Sequence, residues 1–185
     1  QEDIVVGSPI AGRRDSDLEL VIGMFVNTLA LRNFPARGKR FLEFLSQVNR
    51  LALAAFENQW YKFETLVDRV VKERDPSRNP LFDVMLVLQN MGIEELQLPG
   101  LQIKNYNFKN RTSKFDMAFE VFDMGRQLFI SVEYDTDLFE QKTIQRFIRY
   151  FERVVSQVTA NPAVSIGEIE IISPPEKMRI LEEIN

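Results

Sequence analysis

A chain of 185 residues with 45% hydrophobic content is long enough for one domain with a sizeable core, and fifteen phenylalanines make aromatic burial its main apolar resource. The formal charge of −4 argues against a nucleic-acid or anionic-membrane partner, since both need a basic face. With no cysteine and no histidine, the chain holds no disulfide, no thiolate nucleophile, no imidazole base and no Cys or His metal site.

Ile4 to Ile10 is rich in β-branched residues and reads as a strand finishing irregularly at Gly7-Ser8-Pro9. Gly12 to Asp17 is charged and turn-forming. Val21 to Leu31 is a second β-type run interrupted by Gly23 and Asn27, and Asn33 to Gly38 is a loop holding Pro35. From Arg40 the apolar residues Phe41, Leu45, Val48, Ala52 and Ala55 recur at helical spacing. A shorter helix follows over Phe63, Leu66, Val67, Val70 and Val71, and Pro76 and Pro80 stop it. Leu81 to Leu88, apolar on both faces apart from Asp83, reads as a buried strand. Leu98-Pro99-Gly100 then turns the chain into an imperfectly alternating stretch, Leu101 to Phe108.

A hairpin comes next: Phe115, Met117, Phe119 and Val121 alternate, Asp123 to Arg126 turns, and Leu128, Ile130, Val132 and Tyr134 alternate back. The spacing Asp137-x-x-Glu140 predicts a capping box at the start of a long helix. Its apolar face carries Ile144, Phe147, Ile148, Phe151, Val154, Val155 and Val158, and Asn161-Pro162 ends it. Ile166 to Ile172 is strand-like, and Ser173-Pro174-Pro175-Glu176 reads as a helix start. The pattern is mixed α and β, without repeats or an internal domain boundary. No apolar run approaches the roughly 20 residues that cross a bilayer, and no secretion signal is visible.

The chemistry on offer is narrow. Asp15-Asp17-Glu19 and Glu94-Glu95 lack the loop spacing of a calcium site and read as solvated charged faces. Gly7 and Gly12 match no phosphate-binding loop. Ser113 and Lys114 are adjacent, which is a strand entry and not a Ser-x-x-Lys pair. Asn27 is more informative: an amide in an apolar run costs stability unless hydrogen-bonded, so it either braces neighbouring backbone or faces a wet cavity. Gln59, Trp60 and Tyr61 follow a helix and either line a pocket mouth or pack in the core. Arg74, Asp75, Arg78 and Asn79 lie between prolines and read as a turn pinned by charge-assisted hydrogen bonds, a structural motif.

Four segments in fixed order carry a resemblance. They are Gln1 to Arg13 (QEDIVVGSPIAGR), Ile22 to Arg32 (IGMFVNTLALR), Glu57 to Glu64 (ENQWYKFE) and Arg74 to Phe82 (RDPSRNPLF). Together they resemble the lead-in and the last three signature motifs of condensation domains from nonribosomal peptide synthetases, enzymes that join carrier-bound amino acids. Ser113-Lys114-Phe115-Asp116 and Tyr134 to Phe139 are similar to lesser landmarks of that family, and Ile180 to Asn185 looks like the start of its linker toward an adenylation domain. Trp60 stands where the family commonly has Asp or a similar residue, and Lys62 where it has proline. The family's catalytic His-His-x-x-x-Asp-Gly motif is absent, and a first residue of Gln1 fits a piece of a longer chain.

The resemblance implies an α/β (mixed α+β) fold: part of the carboxy-terminal lobe of a chloramphenicol-acetyltransferase-like architecture, in which two lobes form a V around a tunnel. Residues 1–185 would be the carboxy-terminal portion of the domain, with 173–185 entering the linker. It further implies amide formation between an acyl or peptidyl thioester and an aminoacyl thioester, both on phosphopantetheine arms of upstream and downstream peptidyl carrier domains. The tunnel would exclude water and align the two tethered substrates. Gly7, Ser8, Asn27 and Gln59 would lie at the substrate channel, with Asn27 a supporting group able to donate to a developing oxyanion and no catalytic residue in this chain. No metal and no directly bound cofactor are implied; the partners are the two carriers, the amino-terminal lobe and an adenylation domain, in the cytoplasm. Alone, the chain should be inert and should associate through open strand edges and apolar surface. The alternatives are a non-catalytic carrier-docking or scaffold module, or a heterocyclisation or epimerisation relative. The late motifs favour the ordinary amide-forming type.

Overall fold

The structure, a computed structural model, describes residues 3–13, 15–18, 20–89, 101 and 112–183. Five strands form one mixed sheet in the order β2-β1-β3-β4-β5: β1 (Ile4–Ile10), β2 (Asn27–Asn33), β3 (Val84–Gln89), β4 (Met117–Asp123) and β5 (Leu128–Tyr134). The helices are α1 (Phe41–Glu57), α2 (Phe63–Val70), α3 (Gln141–Ala160) and α4 (Pro174–Glu183). Antiparallel pairs β1–β2 and β4–β5 flank the parallel neighbours β1–β3 and β3–β4.

The β4–β5 hairpin forms where local alternation and turn chemistry agree. Gly125 takes φ +80°, open to glycine at no steric cost, and its N–H is held by Asp123 Oδ1 at 2.8 Å. On the neighbouring strand Met85 faces Ala118, and side-chain alternation puts both on one side of the sheet with Gly7 and Val5. Phe82 closes over that side; with Met85 and Ala118 it forms the buried centre of the core. Phe63 and Phe115 sit against its ring, each with centroids 5.7 Å away. Aromatic geometry of this kind adds to the area term.

Helix α3 lies on the opposite side, where Phe119 of β4 meets Phe151 at 6.5 Å. Its first turns are anchored by Phe139 against Phe147. The chain leaving α3 runs back beside the entry to α1: Phe41 N–H donates to Val164 O, Ile166 N–H to Lys39 O and Gly167 N–H to Arg37 O. Residues far along the chain from α1 therefore fix how that helix begins.

Several expectations need correction. The second β run starts at Asn27 and extends to Asn33; residues 20–26 have no ladder partner, and Ile22 and Met24 stand fully in solvent. Apolar composition there marks surface without a partner, not a strand. β1 has the expected bounds, Ile4–Ile10, but no irregular finish: Gly7, Ser8 and Pro9 stay in register with β2, and Pro9, with no N–H to give, lies past Gly7↔Met85, the described pair with β3. β3 is covered on one face only, since Leu88 is 60% exposed. The capping box does not form: Glu140 is the N-cap without a side-chain bond, and Asp137 lies in a turn where its N–H donates to Asp135 Oδ1. Ile166 to Ile172 is not a strand but a 3-10 turn, Ile166–Glu168, followed by an extended stretch whose Glu170 backbone is bonded by the Gln157 side chain. The Leu98-Pro99-Gly100 turn, the stretch Gln102 to Phe108, Glu94-Glu95, Glu19 and Ile184-Asn185 lie outside the described residues.

Accessible surface totals 15435 Å². A compact monomer of 21.6 kDa exposes about 9,000 Å². Among the described residues, Leu20, Ile22 and Met24 are apolar side chains left uncovered.

Candidate functional site

Helix α1 ends at Asn58, whose Nδ2 donates back to Ala54 O, and a tight turn follows in which Tyr61 N–H donates to Asn58 O. Lys62 is the N-cap of α2 but has no capping side-chain oxygen, so the first N–H of α2 needs an acceptor from elsewhere. Asn27, the first residue of β2, supplies it. Its Oδ1 accepts the Phe63 N–H at 3.3 Å, while its Nδ2 donates to Gln59 O at 2.8 Å and Tyr61 O at 3.0 Å. One carboxamide thus satisfies three backbone groups of a turn more than thirty residues away.

Within the turn Trp60 faces solvent while Gln59 and Tyr61 are half-buried. Trp60 is 60% exposed and lies edge-on to Tyr61, centroids 5.8 Å apart, and Arg69 sits 5.7 Å from the Tyr61 ring centre. Gln59 is half-buried, and its side chain makes no hydrogen bond among the described residues. Asn27 and Gln59 are brought together; Gly7 and Ser8 are not both with them. Adjacent strand residues face opposite ways, and the Gly7 face is filled by the Phe82 ring, so only Ser8 presents a side chain to the other side of the sheet.

The segment leading into Asn27 is wrapped about Arg13. Its guanidinium lies 4.4 Å from the Phe25 ring centre and donates to Leu18 O and to Val21 O, the latter at 2.7 Å. Gly12, at φ +65°, lets the Phe25 carbonyl approach its α-carbon as no side chain would. Arg13, the first of two consecutive arginines after Gly12, carries no local sequence signal of these partners.

In the second cluster each side chain is engaged. Arg74 pairs with Asp68, and Arg78 with Asp83. Hydrogen bonds from the Ser77 hydroxyl and N–H, with the Arg78 charge adding, hold the Asp75 carboxyl below its ordinary range. Asn79 Oδ1 accepts the N–H groups of Leu81 and Phe82 at 3.2 and 3.3 Å. The cluster is a pinned turn whose product is the placement of Phe82. Near it a cavity of about 750 Å³ opens between sheet and α2, lined by Val5, Ala30, Leu66, Val70 and Phe82 and by the Asp3–Arg32 ion pair. The Ser77 hydroxyl beside Asp75 belongs to the pinned turn, and no group of carboxylates among the described residues could hold a metal ion. No described helix is long and apolar enough to cross a membrane.

Residues 1–181 match the condensation-domain family. The chain belongs to that family. Gramicidin S synthase 2 of Aneurinibacillus migulanus is 44% identical over 185 residues, and tyrocidine synthase 3 of Brevibacillus parabrevis is 42% identical over 185 residues. Each match takes in 100% of this condensation-domain chain but only 4% and 3% of those relatives. The fold is that of holo-AB3403, a four-domain nonribosomal peptide synthetase, with a TM-score of 0.85 at 22% identity over 96% of this chain and 15% of that one. The X-domain from teicoplanin biosynthesis superposes with a TM-score of 0.81 at 25% identity, covering 92% of this chain and 40% of that one. The mixed α/β lobe expected from the motifs is therefore present.

Proposed function

We propose that this chain supplies the carboxy-terminal lobe of a condensation domain that forms an amide bond between two carrier-bound thioesters. The observation that carries the reading is the family match running unbroken over residues 1–181, through all four motif segments. In the reaction, the amine nitrogen of the acceptor attacks the thioester carbonyl carbon of the donor. The C–N bond forms, the C–S bond breaks, the amine gives up a proton, and the sulfur leaves as a thiol on the donor's arm. Phosphopantetheine arms of the partner carrier domains bring both substrates. The chain has no histidine, so an imidazole proton acceptor would come from outside it.

The chain's share is then positioning and exclusion of water. Ser8, Asn27 and Gln59 stand beside the channel, and Gly7 supports it from the other side of β1. Residues 20–26, with Ile22 and Met24 exposed, would be covered by the amino-terminal lobe, and the stretch from Ser173 would lead toward an adenylation domain, all in the cytoplasm. The chain by itself would be inert. A second reading, a carrier-docking module without turnover, is favoured by the missing histidine. The test is to read the coding region upstream for a His-His-x-x-x-Asp-Gly motif and to supply the intact synthetase with loaded carriers. Amide product is the expected result. Carrier binding without product in an intact frame lacking the motif establishes the docking reading instead.

A further inference from the structure

We infer that Asn27 is a positioning residue, whose carboxamide clamps the turn from Gln59 to Phe63 onto the first residue of β2 and so sets Gln59 and Trp60 relative to the sheet. The catalytic consequence rests on the channel reading above; the clamp rests on geometry. A carboxamide has two N–H donors, and both are committed, to Gln59 O at 2.8 Å and Tyr61 O at 3.0 Å. A substrate oxyanion would find neither available. Among the described hydrogen bonds, no other donor reaches those two carbonyls. On its acceptor side Asn27 serves as a remote cap for α2, replacing the oxygen that Lys62 lacks. Because Phe63 packs on Phe82, the clamp also ties the exposed turn to the core.

Its position adds a second link. Asn27 is where the exposed segment 20–26 enters the sheet, and it pairs with Ile10 at the end of β1. This one side chain therefore links the segment directly to the turn. Aspartate would keep size and acceptor while losing both donors, and would set a carboxylate against two carbonyl oxygens. Once protonated, that carboxyl regains a single O–H donor.

The experiment compares Asn27→Asp and Asn27→Ala with the unaltered 185-residue chain and, separately, in the intact synthetase. Trp60, the chain's one tryptophan, reports the turn by fluorescence, and exchange of the Phe63 amide reports the cap. Expected are a shifted Trp60 emission and roughly tenfold faster Phe63 exchange in Asn27→Ala. Asn27→Asp should show the Trp60 shift at neutral pH and partial recovery on acidification. In the synthetase, kcat for amide formation should fall roughly tenfold while KM for the loaded carriers stays within about twofold. Unchanged Trp60 emission and Phe63 exchange in both variants would overturn the clamp, as would lost amide formation with an unmoved turn, which makes Asn27 a direct donor. If Asn27→Ala unfolds, the acid recovery of Asn27→Asp decides by itself: its presence supports the clamp and its absence overturns it. Moved turn signals with no amide product from the unsubstituted synthetase would sink the proposed function and leave the clamp standing.

Discussion

Gly7 lies directly beneath the ring of Phe82: a methyl group built on its α-carbon would overlap the ring edge, with even the third ring atom only 2.7 Å away. Phe82 is 4% exposed and held between Phe63 and Phe115, so the ring can give way only toward the cavity beside α2 that it lines. Gly7→Ala should therefore destabilise the chain by about 1–3 kcal/mol through overpacking. Denaturant unfolding checks it. In the double variant Gly7→Ala/Phe82→Leu the two changes should couple, with part of the loss restored.

Leu20, Ile22 and Met24 are almost fully exposed, on a segment without ladder partners. Replacing all three with serine should lower binding of an apolar dye and reduce self-association. The unfolding free energy should change by no more than about 0.5 kcal/mol, as for other surface substitutions. Light scattering and thermal melting separate the two effects. Association that persists unchanged would place the sticky surface elsewhere.

Tyr150 donates its hydroxyl to Glu176 Oε1 at 2.7 Å, joining α3 to α4. That hydrogen bond first, then burial and the Glu176 charge, raise the phenol's pKa. The folded chain thus favours the protonated phenol. Its contribution is present in full below the ordinary tyrosine value of about 10 and is lost as pH rises through the raised one. Tyrosinate absorbance should show a late-titrating group that is absent in Tyr150→Phe and shifted back in Glu176→Gln.

Gln157 holds the Glu170 backbone from both sides, donating to its oxygen at 2.8 Å and accepting its N–H at 3.0 Å. Gln157→Ala should free the stretch between Ile169 and Ser173. Limited proteolysis there should accelerate roughly tenfold while the melting temperature of the sheet hardly moves. Equal protection in the variant would show that Arg153, which donates to Glu170 O at 3.2 Å, and Lys177, 3.9 Å from the Glu170 carboxylate, suffice.

What the sequence disclosed followed the range of its interactions. The hairpin from Phe115 to Tyr134 and both long helices were legible because alternation and helical spacing are local. Asn27 was legible as an oddity, but its partners at Gln59, Tyr61 and Phe63 are separated from it by more than thirty residues, a distance that no periodicity spans. Ile166 to Ile172 reads as a strand because Ile169, Ile171 and Ile172 are β-branched; the Gln157 side chain, on another element, captures the backbone first. Residues 20–26 misled for the opposite reason, since apolar composition signals burial without saying what does the covering.

The two ribbons of the sheet, β2–β1 and β3–β4–β5, meet at the single described pair Gly7↔Met85, although each ribbon is zipped along its length. That seam joins segments 78 positions apart in the chain, so closing it late in folding carries the larger entropic toll. Pulled from its ends, the molecule should shear along this line before either ribbon frays. Phe82, lying across Gly7 at the joint, acts as the rivet, and the sheet's tolerance of tension is set by one aromatic ring over one missing side chain.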